Sequence, residues 1–77
     1  MDPRHFERLR WRCRRGQLEL DLMLGSFLQG HYPALPASEQ ETFERLLELP
    51  DTALQSYLQG QETPAKEFEE IVRKIRQ

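Results

Sequence analysis

The chain has 77 residues, a formal net charge of −2, 38% hydrophobic residues and a single cysteine. That length corresponds to one domain over residues 1–77, near the lower limit at which a hydrophobic core stabilises a fold without disulfides or metals. Cys13 alone excludes an intramolecular disulfide, Cys13 with His5 and His31 is too small a set for the usual metal clusters, and no run reaches the roughly 18 apolar residues of a membrane span.

Charge is unevenly distributed. Residues 1–16 carry six arginines (Arg4, Arg8, Arg10, Arg12, Arg14, Arg15) against Asp2 and Glu7, a local balance of +4 that leaves −6 for the rest. Mitochondrial presequences are also Arg-rich, but they avoid acids, and this stretch runs into the domain without a spacer. The first residues also lack the apolar run of a secretory signal, so the expectation is a protein of a bacterial cytoplasm, not embedded in a membrane; a monomer is expected as well.

Asp2-Pro3 is a helix start signal, with Asp2 as cap and Pro3 at the first helical position, where its missing N–H has no intrahelical partner. The first helix is expected to run to about Arg14 or Arg15. Phe6, Leu9 and Cys13 form one apolar stripe, which makes Cys13 a core residue. Arg8, Trp11 and Arg15 share a second face at the same spacing. Trp11 there either packs on a neighbouring helix under stacked arginines or belongs to a contact surface, where both residue types are enriched. Gly16 ends this helix, since a left-handed conformation costs glycine little.

The next segment carries two periods at once. Leu18, Leu20, Leu22 and Leu24 alternate as in a strand, whereas Leu20, Leu24, Phe27 and Leu28 follow the i, i+4, i+7, i+8 pattern of an amphipathic helix. Leu, Glu and Met favour helix, β-branched residues are absent, and no second strand-like run exists for pairing, so a helix over about 17–29 is expected, closed by Gly30. Residues 31–37 hold two prolines and read as a loop, with His31 at the surface. Ser38 with Glu41 has capping-box spacing ahead of Phe43, Leu46 and Leu47, and Pro50 closes that third helix. Asp51 caps a short fourth helix with Leu54, Tyr57 and Leu58, ended by Gly60. Thr63-Pro64 starts a fifth, whose stripe is Phe68, Ile71, Val72 and Ile75, with Lys74 and Arg76 complementing the dipole in its last turn. The fold class is all-α, a compact single-domain five-helix bundle.

Catalysis is poorly supported: Cys13 and two distant histidines do not make a nucleophile with an oriented base, and the scattered glycines match neither a dinucleotide nor a P-loop spacing. A helix, glycine, helix arrangement with arginines suggests nucleic acid, but Glu19 and Asp21 would repel phosphates where a recognition helix begins. A protein-binding module fits better. Gly16 lets the chain reverse, so Arg15 and Glu19 can project together from the two sides of the turn, either as a plain surface ion pair or as part of a docking cluster with Arg8, Trp11 and Asp21.

Arg15-Gly16-Gln17-Leu18-Glu19 is similar to the Arg-Gly-x-x-Glu motif of the small flavin-assembly factors of succinate dehydrogenase, the flavinator family. The likeness extends through Trp11-Arg12-Cys13-Arg14-Arg15-Gly16, Glu19-Leu20-Asp21 and Phe43-Glu44-Arg45-Leu46-Leu47-Glu48, and covers residues from about 5 to 75. Gln17 stands where many members carry methionine, and the chain stops soon after the fifth helix, without an extended tail. The resemblance implies a non-enzymatic five-helix protein that binds the flavoprotein subunit of succinate dehydrogenase, and of fumarate reductase, and promotes covalent attachment of FAD, the FAD belonging to the partner. Arg15, Gly16 and Glu19 would then contact the partner, with Arg8, Trp11 and Asp21 widening the footprint. The alternative is a small nucleic-acid-binding or antitoxin-like regulator.

Overall fold

The apolar stripes read from the sequence meet in one core. The computed structural model describes residues 3–76, and among them the elements are α1 (Pro3–Arg12), α2 (Leu18–Gly30), a 3-10 turn at Tyr32–Ala34, α3 (Ala37–Leu46), α4 (Asp51–Leu58), a 3-10 turn at Lys66–Phe68 and α5 (Glu69–Arg76). No strand occurs among the described residues, so the expected all-α five-helix fold is what forms. The helical period wins in the ambiguous segment: Leu20, Leu24, Phe27 and Leu28 are all buried.

α2 is the hub. It touches α1, α4, α5 and the Tyr32–Ala34 turn. Phe43, Leu46 and Leu47 close one side of the core, Leu54 and Leu58 another, and the regular stripe Ile71, Val72 and Ile75 lays α5 over the rest. The Phe43 ring lies 5.4 Å from Phe27 and 5.5 Å from Tyr32, and Leu9 and Cys13 anchor α1. Each such buried side chain contributes about 1.5–3 kcal/mol relative to exposure, which is how a chain this short holds together without a disulfide.

The start signals fare less well than the stripes. Asp2 lies outside the described residues. Ser38 does not cap α3: the helix begins one residue earlier, at Ala37, with Pro36 as its cap, and the Pro36 carbonyl accepts the amides of Glu39 and Gln40 at 3.0 Å. The expected capping box is therefore absent, and Ser38 instead offers its carbonyl to the Thr42 hydroxyl. Asp51 is likewise the first residue of α4 rather than its cap, a place taken by Pro50. Thr63-Pro64 does not start the fifth helix either. Ala65 caps the 3-10 turn, which inserts the buried Phe68, and α5 begins only at Glu69. Both prolines have extended ψ values, 155° at Pro36 and 153° at Pro50, so each offers a carbonyl to the first helical turn without a side-chain cap.

Tyr32, read from the sequence as a loop residue, is 1% exposed. Its hydroxyl donates to Glu44 Oε2 at 2.7 Å, and His5 Nε2 lies 3.1 Å from the same oxygen. Arg12 donates to the Glu44 carbonyl at 2.9 Å, so a polar cluster ties α1 to α3 beside the aromatic core. Burial alone would raise the Glu44 carboxyl, but the bonds from Tyr32 and His5 and the charges of His5 and Arg12 outweigh it and hold it below the ordinary 4.5. Burial, then Glu44, push the Tyr32 phenol well above its usual range. Cys13 is 2% exposed, and burial lifts its thiol to about 11 against the opposing pull of Arg15 and Arg12.

A carboxylate depressed on folding adds stability above its unfolded pKa and loses it as pH falls through its lower folded value. Glu44→Gln should therefore be less stable than the wild type near neutrality yet lose less stability between about pH 5 and about pH 3, as read by urea unfolding. Cys13 should resist alkylation in the native chain at about pH 8 and react freely once urea unfolds it, a contrast that mass spectrometry after iodoacetamide treatment measures.

Candidate functional site

α1 stops short of the motif. Past Arg12 it tightens, with the Cys13 amide shared between Leu9 O at 3.0 Å and Arg10 O at 3.2 Å, and Arg14 N bonded to Trp11 O at 3.1 Å. Gly16 then turns the chain at φ 78°. No heavy atom lies within 4 Å of where a Cβ would stand, so the demand for glycine comes from the backbone and not from packing. Gln17 is extended, at φ −123° and ψ 113°, with no side-chain cap, and α2 begins at Leu18.

Asp21, inside α2, ties down the turn that precedes the helix. Its carboxylate accepts the Arg15 amide at 2.6 Å and the Gly16 amide at 3.2 Å, so two consecutive backbone donors of the turn end on one side chain. The Arg15 side chain faces the other way, into the chain. It donates through Nη2 to Leu47 O, and through Nη1 to Asp51 Oδ1 at 3.1 Å and Leu49 O at 3.5 Å. Leu47 and Leu49 lie just beyond the end of α3, where helix carbonyls lack partners, and Asp51 opens α4. Arg15 thus joins the glycine turn to the α3–α4 junction, with its side chain 17% exposed.

This arrangement corrects three expectations. Arg15 and Glu19 do not pair: the guanidinium goes to Asp51, while Glu19 is exposed and, among the described residues, accepts only a long bond, 3.5 Å, from Gln59 Nε2. Nor do Arg8, Trp11 and Arg15 form one face, because the helix that would align them ends at Arg12. Trp11 does not pack on a neighbouring helix. It is 67% exposed, with the Arg14 guanidinium 5.2 Å from its ring centre. Arg8 is exposed. Of the six candidate residues, Arg15, Gly16 and Asp21 form one bonded network, and Glu19, Trp11 and Arg8 stand at the surface.

Three surface residues were missed: Arg14, Leu18 and Leu22, the two leucines being 76% and 62% exposed. The signal for the leucines was present, since four alternating leucines on a helix cannot all face one side. Three of the six arginines before Gly16 are already engaged: Arg12 and Arg15 with backbone carbonyls, and Arg10 with Glu7 at 3.0 Å. Cys13 is buried, His5 is engaged by Glu44, and His31 lies against Phe27 with ring centres 5.4 Å apart. Among the described residues no group of three or more His, Cys, Asp or Glu is placed to hold a metal ion.

Comparison with known proteins agrees with the resemblance carried by the motif. The sequence model described as "Flavinator of succinate dehydrogenase" matches residues 7–77. The chain is 43% identical over 77 residues to the FAD assembly factor SdhE of Coxiella burnetii, covering 99% of this chain and 94% of that protein. It is 45% identical over 76 residues to the FAD assembly factor SdhE of Legionella pneumophila (strain Paris), covering 99% and 96%. Against the FAD assembly factor SdhE of Pseudomonas aeruginosa the identity is 48% over 50 residues, 65% of this chain and 60% of that protein. With a family match spanning nearly its whole length and relatives above 40% identity end to end, this chain belongs to the flavinators of succinate dehydrogenase.

Proposed function

We propose that this chain is an assembly factor that binds the flavoprotein subunit of succinate dehydrogenase, and that of fumarate reductase, and promotes covalent attachment of FAD to a histidine of that subunit. It acts as a monomer in the bacterial cytoplasm and holds no FAD of its own. The family match and the relatives' shared name, FAD assembly factor, support the partner and the cofactor. No helix among the described residues is long and apolar enough to cross a membrane, which fits a factor that meets its partner in solution.

The observation that carries the reading is the exposed Glu19 in the first turn of α2, beside a left-handed Gly16 turn whose two preceding bonds are fixed by Asp21. Such a turn presents its outer edge in one shape, and a bare glycine there admits close approach by another backbone. Glu19 touches the partner directly. Arg15 acts through the turn, by holding it against the α3–α4 junction, and Asp21 holds it from the other side. The factor supplies no reacting group. It keeps the immature flavoprotein in a closed arrangement in which the partner's own groups and its FAD are already aligned, so the ordering cost of the reaction is met by binding.

Two substitutions separate these roles. Glu19→Ala should change the unfolding free energy by no more than about 0.5 kcal/mol, as expected at an exposed site, yet abolish covalent flavin fluorescence of the flavoprotein in a denaturing gel. Arg15→Ala should lower stability by about 2–3 kcal/mol, because it leaves carbonyls and a carboxylate without their charged donor, and Arg15→Lys should restore only part of that, lacking the guanidinium fork. Normal flavinylation with Glu19→Ala would refute the proposed contact.

A further inference from the structure

We infer that the groove between α1 and α2 is a second contact site for the flavoprotein, one that takes a surface segment carrying an apolar side chain next to a carboxylate. The inference rests on the docking reading above and adds a place and a chemistry to it. The groove has a volume of about 530 Å³, and its walls include Arg10, Arg14, Leu18, Leu22, Gly25 and Gln29.

Three independent features of the groove point to an occupant. First, α2 carries leucines on both sides. Its inner stripe is buried, and Leu18 and Leu22, one turn apart on the outer side, remain 76% and 62% exposed, an unusual state for two neighbouring leucines beside a cleft. Second, Gly25 stands in the middle of a thirteen-residue helix with no positive φ, and no heavy atom lies within 4 Å of a Cβ built on it. Neither the backbone nor the packing of the free chain requires glycine there, although glycine weakens a helix interior. Close approach from outside accounts for it.

Third, the charge at the rim is net positive, two arginines against one aspartate. Asp21 also borders the groove, but its oxygens are occupied by the Arg15 and Gly16 amides. Arg10 bonds Glu7, whereas Arg14 has only the Trp11 ring and no carboxylate among the described residues. A carboxylate on the occupant therefore meets Arg14, and its apolar neighbour meets Leu18 and Leu22. A second copy of this chain is the poorer occupant, since an isologous pair would set one basic rim against the other. Asp21 also makes the groove continuous with the Gly16 turn, so a partner seated on the turn reaches it without a gap.

The test uses the full chain and the purified flavoprotein subunit without covalent flavin, with affinity measured by calorimetry and folding by thermal unfolding. Gly25→Gln should keep or raise the melting temperature, because glutamine is a better helix former and has open space, yet weaken binding at least about tenfold by filling the groove. Leu18→Ser with Leu22→Ser should weaken it about thirtyfold or more while leaving the core intact. Arg14→Glu should weaken binding most at low salt. Wild-type affinity in Gly25→Gln and in the double serine variant, together with lost binding in Glu19→Ala, would overturn the groove and leave the docking reading standing. Wild-type affinity in all of them would remove both. Dimerisation of the wild type in sedimentation, abolished by Gly25→Gln with flavoprotein affinity unchanged, would assign the groove to a second copy and overturn the proposal.

Discussion

The guanidinium of Arg15 is the constraint on which the rest of this small structure depends. A helix end leaves carbonyls without partners, and here those of Leu47 and Leu49 find a donor that arrives from more than thirty residues earlier in the chain. The same group meets Asp51 at the start of α4, so one side chain fixes the break between α3 and α4 and the position of the turn it belongs to. Its Nε is buried without a partner among the described residues, which shows how closely the group is enclosed. From the other side, Asp21 fixes the backbone of the turn, and with it the angle at which α2 leaves α1. Position of the turn and direction of α2 together decide that Glu19, Leu18 and Leu22 face outward.

Against that frame, the legibility of the sequence divides by range. Stripes such as Leu20, Leu24, Phe27, Leu28 and Ile71, Val72, Ile75 were readable because burial acts on a helical period that the chain displays locally. Helix starts were less so. Ser38 and Asp51 have the right chemistry for caps, but Pro36 and Pro50 precede them with an extended backbone that begins the helix sooner, and the Asp51 carboxylate is already engaged by Arg15. Tyr32 was misread for a related reason. Its burial is decided by Phe43 and by a bond to Glu44, twelve residues on, and neither is announced by the prolines around it.

The motif shows the same division. Its residue types pointed to the right family, and Gly16 as a turn glycine followed from local chemistry. The roles of Arg15 and Asp21 did not, since proximity in sequence suggested a pair between Arg15 and Glu19 that the structure replaces with two bonded systems, Asp21 with the turn amides and Arg15 with a distant junction. A motif read as three contact residues is, in the free chain, one exposed acid beside a turn bonded by Asp21 and Arg15.

That separation extends to the other polar groups of the chain. Its polar groups inside are committed: Glu44 to Tyr32 and His5, Arg12 and Arg15 to carbonyls, Asp21 to amides, Lys74 to Glu39. What remains at the surface around Gly16 is Glu19, two leucines, a tryptophan and Arg14. A marginal domain would gain stability from a residue other than glycine at position 25 and would lose little by having polar residues in place of Leu18 and Leu22. The free chain's own stability therefore does not explain these three residues, whereas a partner laid along α2 explains all of them, and it does so on the face that the Arg15 and Asp21 bonds hold open.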